Sequence, residues 1–345
     1  MKLPDKIGIL KSVLGANLFG LRTPLACHFS ITNRCPWNCT YCGFKNLHKD
    51  ECTTEEAIRI IESLADMGNK RLHLVGGEPM LRKDVGQLIA AAKNRGLFVT
   101  MATTGFDLGR MWDQVKDIDI FFLSFDGPKT IHDEQRGDGA YDVLVDAMDM
   151  LSQKESRFWT TTVITSKNMH HIDFILETAE KRGFLTNYHL LYFNDTAEYL
   201  PGSMHLNEID EDLKADQEQY NEVVEYLLAI KKKKMGGVIA SSPMYLKSLR
   251  DWGDFSEVYR KEASQKYRCW AGKLYCYIDA NGDVYPCGDI MGRVRPVNCL
   301  EHGLEKAFKM LPDVPCNSCI VACYCELNLM FSLNPGCILH WSRRV

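Results

Sequence analysis

The chain reads NRCPWNCTYC from Asn33 to Cys42, and this stretch decides how the rest of it is interpreted. Cys35, Cys39 and Cys42 stand at the spacing C-x3-C-x2-C. An odd number of cysteines so close together does not suit a disulfide framework. A tetrahedral zinc site takes four ligands, usually from paired C-x2-C units, and a [4Fe–4S] cluster normally takes four thiolates. Three thiolates on one loop would therefore leave one iron open. The alternative is three unrelated buried thiols.

Composition places few limits on the function. A chain of 345 residues is long enough for one large barrel or two domains. The net charge of -4 and the pI near 6.2 do not favour nucleic-acid binding. No apolar run reaches the ~18 residues of a membrane span. The first residues lack the pattern of a signal peptide, so we expect a cytoplasmic protein.

The distribution of the 14 cysteines is more informative than their number. Five lie near the start, nine lie in the last quarter, and more than two hundred residues between Cys52 and Cys269 contain none. A secreted disulfide scaffold would be short and evenly cross-linked. The pattern therefore predicts a cytosolic protein that holds metal at two places.

Strand-like and helix-like runs alternate after a short amphipathic N-terminal helix. The strand-like runs are 26–32, 71–75, 98–102, 118–125, 160–164 and 185–193. The helix-like runs are 54–67, 84–95, 108–115, 140–152 and 169–181. Six such repeats predict parallel βα units and a partial (βα)6 TIM-type barrel, an α/β fold. Chemistry in such barrels gathers at the carboxyl ends of the strands, where the cysteine loop falls.

Other strand ends carry matching motifs. They are Gly76-Gly77-Glu78-Pro79 after the second strand, Thr103-Thr104-Gly105 after the third, and Ser124-Phe125-Asp126-Gly127 after the fourth, followed by His132-Asp133-Glu134-Gln135-Arg136. Together with the cysteine loop, this set resembles the radical S-adenosylmethionine (SAM) enzymes. In that family three cysteines hold a [4Fe–4S] cluster whose open iron chelates the amino and carboxylate groups of SAM. The aromatic Tyr41 before the last cysteine also fits the family.

The resemblance implies a role for each motif. It assigns the cluster and the catalytic chemistry to Cys35, Cys39 and Cys42. It assigns SAM binding to Tyr41, Gly76, Gly77, Glu78, Pro79, Thr104, Ser124, Asp126 and Arg136. The Gly-Gly-Glu-Pro element would contact the methionine amine, and Ser124 and Asp126 would suit the ribose hydroxyls. Arg136 could pair with the SAM carboxylate as a bidentate fork.

Each of these roles has an ordinary structural alternative. The two glycines alone could form a simple turn, and Arg136 could form a surface salt bridge. Tyr188, Leu190 and Tyr192 are candidates to pack on the adenine of SAM, although such residues are more often core.

A second cysteine-rich pattern occupies the end of the chain. Cys269, Cys276 and Cys287 surround an Asn281-Gly282 turn that predicts a β-hairpin. Four cysteines then follow at close spacing and a fifth stands apart, namely Cys316, Cys319, Cys323, Cys325 and Cys337. This pattern resembles the SPASM extension of radical SAM enzymes, which holds one or two auxiliary [4Fe–4S] clusters. A zinc ribbon is the alternative.

The resemblance implies two ligand sets. Cys269, Cys276 and Cys287 would hold the first auxiliary cluster, and Cys316, Cys319, Cys325 and Cys337 the second. The position where the family has a further cysteine is Leu329, and Cys323 is extra. Either Cys323 is the fourth ligand of the first cluster, or that cluster has an open iron. Cys27, Cys52 and Cys299 are expected to be ordinary buried thiols.

The expected domains are an N-terminal amphipathic helix (1–24), a radical SAM partial barrel (25–195), a helical connection that completes the barrel (196–267) and a small SPASM domain (268–345). A long helix is expected over 207–233. The N-terminal helix also leaves open a peripheral contact with a membrane.

The implied function is reductive cleavage of SAM to a 5′-deoxyadenosyl radical, which abstracts a hydrogen atom from a substrate. Auxiliary clusters favour net oxidation, dehydrogenation or cross-linking. The substrate would be a peptide or protein, or else a small molecule, sugar or lipid. An electron donor such as flavodoxin or ferredoxin is implied. The alternative from another class is an iron–sulfur electron carrier without SAM chemistry, which would need neither Gly76-Gly77-Glu78-Pro79 nor Arg136.

Overall fold

The structure is a computed structural model that describes residues 3–43, 50–191, 211–255, 258–262, 267–314 and 316–344. Its α-helices are α1 (Leu3–Phe19), α2 (Thr54–Asp66), α3 (Val85–Asn94), α4 (Leu108–Val115), α5 (Lys129–Arg136), α6 (Ala140–Gln153), α7 (Ile172–Arg182), α8 (Gln217–Lys231), α9 (Pro243–Trp252), α10 (Cys299–His302), α11 (Leu304–Lys309), α12 (Ala322–Phe331) and α13 (Pro335–Ser342). Its strands are β1 (Ala26–Ser30), β2 (Arg71–Val75), β3 (Phe98–Thr103), β4 (Ile120–Ser124), β5 (Phe158–Ile164), β6 (Leu185–Leu190), β7 (Tyr259–Arg260), β8 (Tyr275–Ile278), β9 (Asp283–Tyr285), β10 (Val297–Asn298) and β11 (Ser318–Cys319).

The six predicted parallel strands are confirmed. In the described residues they belong to a nine-stranded sheet with the order β10-β9-β8-β1-β2-β3-β4-β5-β6. Each neighbouring pair from β1 to β6 is parallel, and the connecting helices pack outside them. The cysteine loop follows β1, so it lies at the carboxyl end of the sheet as expected.

Local sequence signals explain several of the element boundaries. Thr53 accepts a hydrogen bond from the Glu56 amide, and Glu56 in turn accepts one from the Thr53 amide, so the predicted cap of α2 is a full capping box. The long helix expected over 207–233 begins only at Gln217, where Asp216 supplies the cap. Residues 207–210 lie outside the described part of the chain. Helix α5 was not predicted, since its eight residues carry few apolar side chains.

The pleat of the strands separates an outer face from the lumen of the barrel. On β2, Leu72 and Leu74 are fully buried in the main core with the helices. Because side chains alternate along a strand, Arg71 and His73 face the other way, into the lumen. Aromatic and histidine rings from β1, β2, β4 and β5 contact one another on this inner face. His73 contacts both His28 and Phe122, and Phe122 contacts Trp159.

The last helices fill the barrel from the side where the strands begin. Trp341 on α13 stacks on Trp159, with ring centroids 5.8 Å apart. Tyr324 on α12 stacks on His28 at 5.3 Å. The lumen is therefore lined in part by the C-terminal segment.

The cysteine-rich segment is joined to the barrel through the sheet itself. The predicted hairpin is confirmed, because β8 and β9 are antiparallel and Gly282 adopts a φ of 85° between them. Strand β8 also pairs in parallel with β1, on the edge opposite β2. The boundary placed at residue 268 stays a prediction, since one continuous sheet crosses it.

Among the described helices, none combines the length and the apolar character that a membrane crossing requires.

Candidate active site

The cysteine loop is held against helix α5. Cys39 is buried, whereas Cys35 and Cys42 are partly exposed. The Cys42 amide donates to the Cys39 carbonyl at 3.2 Å, and the Thr40 amide donates to the Gln135 carbonyl at 2.9 Å. Burial raises the pKa of Cys35 to about 12, and the neighbouring Cys39, Glu78 and Cys42 add to the effect. The three thiols therefore share one protected site.

The two glycines of the next motif let the chain pass under the cysteine loop. A Cβ on Gly76 would lie 2.1 Å from the Thr32 carbonyl oxygen, and one on Gly77 would lie 2.2 Å from the Arg34 carbonyl oxygen. The Gly77 amide donates to Thr32 and the Glu78 amide to Arg34, both at 2.8 Å. The close approach expected at these glycines is thus made by the cysteine loop, since no side chain fits there.

Glu78 is fully buried, and hydrogen bonds engage both of its carboxylate oxygens. Its Oε1 accepts from the Thr103 hydroxyl at 2.7 Å, and its Oε2 accepts from both the amide and the hydroxyl of Thr104 at 2.8 and 2.7 Å. Burial raises the pKa of this carboxyl, while these hydrogen bonds oppose the rise. Thr104 also accepts from the Trp37 indole at 2.9 Å, so it links Glu78 to the cysteine loop. Pro79 begins the buried turn after Glu78.

A buried ion pair closes the other side of the loop. The Arg136 Nε donates to the Asp126 Oδ2 at 2.6 Å, and the Tyr41 hydroxyl donates to the same oxygen at 2.6 Å. The Arg136 guanidinium lies over the Tyr41 ring at 5.4 Å. Arg136 is only 6% exposed, so the alternative of a surface salt bridge is wrong.

Asp126 does not suit the ribose role expected of it. It is fully buried, and its other oxygen, Oδ1, accepts from the Val163 amide at 3.1 Å. With Oδ2 bound by Tyr41 and Arg136, both carboxylate oxygens are engaged within the protein. Asp126 therefore positions Arg136 and Tyr41. Ser124, which is partly exposed on the lumen side of β4, stays available for the expected contact.

The adenine-packing candidates on β6 face away from the lumen. Tyr188 and Leu190 are buried in the main core with the helices. Since side chains alternate, Leu185, Asn187 and His189 are the lumen-facing residues of this strand. That part of the prediction is therefore wrong for Tyr188 and Leu190, and Tyr192 lies outside the described residues.

Four cysteines of the C-terminal segment line one small cavity. They are Cys269, Cys287, Cys316 and Cys319, and the cavity is completed by Tyr275, Asp289 and Tyr324 among others. A hydrogen bond from Cys316 lowers the pKa of Cys269 against the effect of burial. A lowered thiol pKa favours the thiolate, which is the form that binds metal.

Cys276 does not join that group, which corrects its expected role. It lies on β8 directly opposite Cys27 on β1, and both are buried on the outer face of the sheet. Burial raises the pKa of Cys27, and the neighbouring thiols of Cys276 and Cys299 add to the effect. The expected set of Cys269, Cys276 and Cys287 is thus divided between the two faces of the sheet. Cys27, Cys52 and Cys299 are buried thiols, as predicted.

The remaining cysteines lie on α12 and α13. The Cys325 thiol donates to the Cys319 carbonyl at 3.0 Å and lies 2.9 Å from the Tyr267 hydroxyl. The Cys337 thiol lies 3.5 Å from a carboxylate oxygen of Glu326. Cys323 is affected by the charges of Asp289 and Arg71 rather than by another cysteine. The structure therefore places Cys325 next to the four-cysteine cavity. Burial and the charges of Glu326 and Cys325 raise the pKa of Cys337, so Cys337 lies near Cys325.

The donor chemistry of both thiol groups fits iron–sulfur clusters. Among the described residues, no three His, Cys, Asp or Glu side chains converge closely enough to hold a single ion. Thiolates of a [4Fe–4S] cluster each bind a different iron, so they lie around a larger centre.

Comparisons with known proteins cover the part of the chain that carries the cysteine loop and its neighbouring motifs. Residues 29–179, which contain the cysteine loop and the motifs up to α7, match the radical SAM superfamily. An AdoMet-dependent heme synthase of Methanosarcina barkeri is 25% identical over 274 residues, 75% of each chain. A PqqA peptide cyclase of Granulibacter bethesdensis is 32% identical over 171 residues, which is 47% of this chain and 46% of that protein.

Solved structures extend the similarity of fold to most of the chain. Streptococcus suis SuiB bound to S-adenosylmethionine matches 86% of this chain and 68% of its own, with a TM-score of 0.66 and 18% identity. The protein anSMEcpe with bound AdoMet matches 83% of this chain and 80% of its own, with a TM-score of 0.63 and 16% identity. The partial-barrel prediction is thus confirmed.

The superfamily binds a [4Fe–4S] cluster together with SAM, and its members are enzymes. The electron-carrier alternative is therefore wrong. The cysteine loop after β1, the Gly-Gly-Glu-Pro turn packed beneath it and the match over residues 29–179 agree with one another, and they show that residues 29–179 form a radical SAM domain.

Proposed function

We propose that Cys35, Cys39 and Cys42 hold the SAM-binding [4Fe–4S] cluster of this enzyme. The observation that carries the proposal is the position of this loop between the buried Glu78 and the buried Asp126–Arg136 pair. When bound, the reduced cluster and SAM supply a 5′-deoxyadenosyl radical, which removes a hydrogen atom from the substrate.

The surrounding residues orient and shield that site. Thr103 and Thr104 fix both oxygens of the buried Glu78, so this carboxylate holds the Gly76-Gly77-Glu78-Pro79 turn in place, and the backbone of the turn would meet the SAM amine. The positive charge of Arg136 lowers the pKa of Cys39, although burial, which raises it, is the larger effect. Arg136 thereby favours the thiolate needed for iron, and Asp126 holds Arg136 in place. Ser124 would meet the ribose from the lumen side of β4.

We assign one auxiliary [4Fe–4S] cluster to Cys269, Cys287, Cys316 and Cys319. These four thiols line one cavity, and four thiolates complete a cluster without an open iron. This set replaces the expected one that contained Cys276. A second cluster would take Cys325 and Cys337, with Cys323 as a further candidate on the same helix as Cys325.

A closed auxiliary cluster suits electron transfer, so the reaction we propose is a net oxidation of the substrate. A peptide substrate is supported by the relatives named PqqA peptide cyclase and by the fold shared with SuiB, which has been solved bound to its precursor peptide SuiA. The second candidate is a small molecule. It is favoured by the heme synthase relatives, whose similarity spans 75% of this chain against 47% for the peptide cyclase.

The partners and the location remain proposals as well. A low-potential donor such as flavodoxin or ferredoxin would reduce the clusters. The 14 free cysteines suit the reducing cytoplasm. The exposed Leu18 and Phe19 at the end of α1, which are 70% and 77% exposed, leave peripheral membrane contact open.

Iron content and SAM cleavage together test the assignment. Wild type and a Cys35→Ala/Cys39→Ala/Cys42→Ala variant would be reconstituted anaerobically, with Cys52→Ala as the matched control outside the site. Three clusters predict ~12 iron per chain falling to ~8 in the triple variant, and two clusters predict ~8 falling to ~4. We expect 5′-deoxyadenosine from wild type and Cys52→Ala only. Full iron content in the triple variant, together with no 5′-deoxyadenosine from wild type, would contradict the proposal.

A further inference from the structure

The hydroxyl of one buried tyrosine lies against a cysteine of the four-cysteine cavity. The Tyr275 hydroxyl is 3.6 Å from the Cys269 Sγ and 3.2 Å from the Asn328 Oδ1. Tyr275 belongs to the lining of that cavity, and it is only 2% exposed. The hydroxyl therefore has little contact with bulk water and bonds within the protein.

The ring of Tyr275 is held in place by stacking. It lies on the Tyr324 ring, with the centroids 5.2 Å apart and an angle of 13° between the planes. The Tyr324 hydroxyl in turn accepts from the Gly288 amide at 2.8 Å, directly after Cys287. The position of the Tyr275 hydroxyl beside Cys269 is thus fixed by its neighbours in the same segment.

The direction of this hydrogen bond depends on the state of Cys269. In a free thiol either group can be the donor, but a cysteine that binds a cluster is a thiolate and can only accept. A tyrosine hydroxyl keeps its proton at neutral pH. The other acceptor within its reach, the Asn328 Oδ1, already accepts from the Trp270 amide at 2.9 Å. Because a hydrogen bond to a charged acceptor is stronger than one to a neutral carbonyl, the thiolate is the preferred partner.

We propose that the Tyr275 hydroxyl donates a hydrogen bond to the Cys269 thiolate of the auxiliary cluster and thereby raises the reduction potential of that cluster. This inference rests on the proposed function, which assigns Cys269 to a cluster. Hydrogen bonds to the sulfurs help to set the potential of iron–sulfur clusters. Reduction adds one negative charge, so a donor at the sulfur stabilises the reduced form more than the oxidised form.

A raised potential suits the net oxidation proposed above. In that reaction the substrate radical loses one electron and the auxiliary cluster gains it. Tyr275 is then a positioning residue, which acts on the reaction through Cys269.

The first experiment measures the potential directly. The triple cysteine variant that lacks the SAM-binding cluster is reconstituted anaerobically, and its auxiliary iron is titrated by EPR at fixed solution potentials. Tyr275→Phe is introduced into this protein, because it keeps the ring that stacks on Tyr324. We expect the ratio of reduced to oxidised cluster at a given potential to fall about threefold to tenfold. A tenfold fall corresponds to about 59 mV for a one-electron couple.

Tyr220→Phe is the matched control. It also removes a buried hydroxyl, which donates to the Leu191 carbonyl at 2.5 Å, and it should leave the ratio unchanged. If two auxiliary clusters are present, we expect one of the two reduction steps to shift in Tyr275→Phe and neither to shift in Tyr220→Phe.

The second experiment identifies the donor. In D2O the hydroxyl proton is replaced by a deuteron, whose coupling to the reduced cluster is measured by pulsed EPR. We expect a deuteron coupling that is lost in Tyr275→Phe and kept in Tyr220→Phe. An unchanged potential or an unchanged deuteron coupling in Tyr275→Phe would overturn the proposal. Loss of auxiliary iron from Tyr275→Phe would overturn it as well, because the tyrosine would then support the fold and not the potential.

Iron content separates this inference from the function on which it rests. Cys269→Ala in the same triple variant should lower the auxiliary iron. If Cys269→Ala keeps all of that iron, or if the triple variant holds none, the proposed auxiliary cluster is refuted and the role of Tyr275 with it. Full auxiliary iron that depends on Cys269, together with an unshifted potential in Tyr275→Phe, would refute the role of Tyr275 alone.

Discussion

The ion pair between Asp126 and Arg136 should be among the most sensitive contacts in the molecule. Asp126 is fully buried and accepts from Arg136, Tyr41 and the Val163 amide. Asp126→Asn keeps the shape of the side chain but removes its charge. The guanidinium of Arg136 is then buried without compensation, and such losses cost about 3–5 kcal/mol.

The double variant separates the charge from the packing. Arg136→Met alone leaves the Asp126 carboxylate unpaired, so its cost should be similar. Asp126→Asn/Arg136→Met removes both charges, and we expect it to be more stable than Asp126→Asn alone. The coupling between the two sites should be about 0.5–3 kcal/mol, as is usual for residues in direct contact.

Urea unfolding of the anaerobically reconstituted holoenzyme would measure these differences through the shift in midpoint. SAM cleavage would be followed in parallel, because Arg136 and Tyr41 both adjoin the cysteine loop. We expect little 5′-deoxyadenosine from Asp126→Asn. A destabilisation below about 1 kcal/mol, or additive losses in the double variant, would show that the pair behaves like an exposed salt bridge.

Two further predictions concern the backbone and the pH dependence of stability. Gly76→Ala places a Cβ 2.1 Å from the Thr32 carbonyl oxygen, so we expect loss of both iron and SAM cleavage. The control is Gly109→Ala, whose Cβ would make only an ordinary contact with the Met150 sulfur at 3.8 Å. Burial lowers the pKa of Lys231 from its ordinary value of 10.5 to about 7. Between these two pKa values, Lys231 is protonated in the unfolded chain and mostly deprotonated in the folded one. The unfolded state therefore binds more protons, and the contribution of Lys231 to stability rises with pH across this window. Urea midpoints of wild type and Lys231→Met would be measured at pH 7 and at pH 10. We expect the midpoint to rise less between these two pH values in Lys231→Met than in wild type. An equal rise in both proteins would contradict the burial of the Lys231 ammonium group.

Much of the barrel follows from the sequence because its signals are local. The period-2 runs and the helix caps place the six strands within a few residues, and β2 and α4 are matched at both ends. The position of the cysteine loop follows from chain order alone, because every parallel strand must end at the same side of the sheet.

The errors arise where long-range pairing decides the outcome. Cys276 shares a motif with Cys269 and Cys287, but its register against β1 turns it to the opposite face. A shift of one residue along a strand reverses the face, and spacing along the chain does not determine the register. Tyr188 was assigned to the wrong face for the same reason.

Burial of charge could not be predicted from the motifs either. Asp126 and Arg136 were both expected to meet SAM, yet each is engaged by the other. Arg71 gave no signal in the sequence, since nothing in a short strand distinguishes an arginine at a solvent edge from one inside a barrel. Alternation with Leu72 and Leu74 on β2 could have placed it on the inner face.

The pairing of β1 with β8 has a consequence for how the enzyme is made. These strands are separated by about 250 residues of chain, and β1 has its second neighbour only after β8 has been synthesised. Such non-local contacts form late, because the loop between them must close first. During translation, the loop from Cys35 to Cys42 is therefore attached to a strand with one open edge. A cofactor inserted into this loop during translation would therefore bind next to a partly assembled sheet. A cofactor inserted after the chain has left the ribosome would bind next to a sheet in which β8 already pairs with β1.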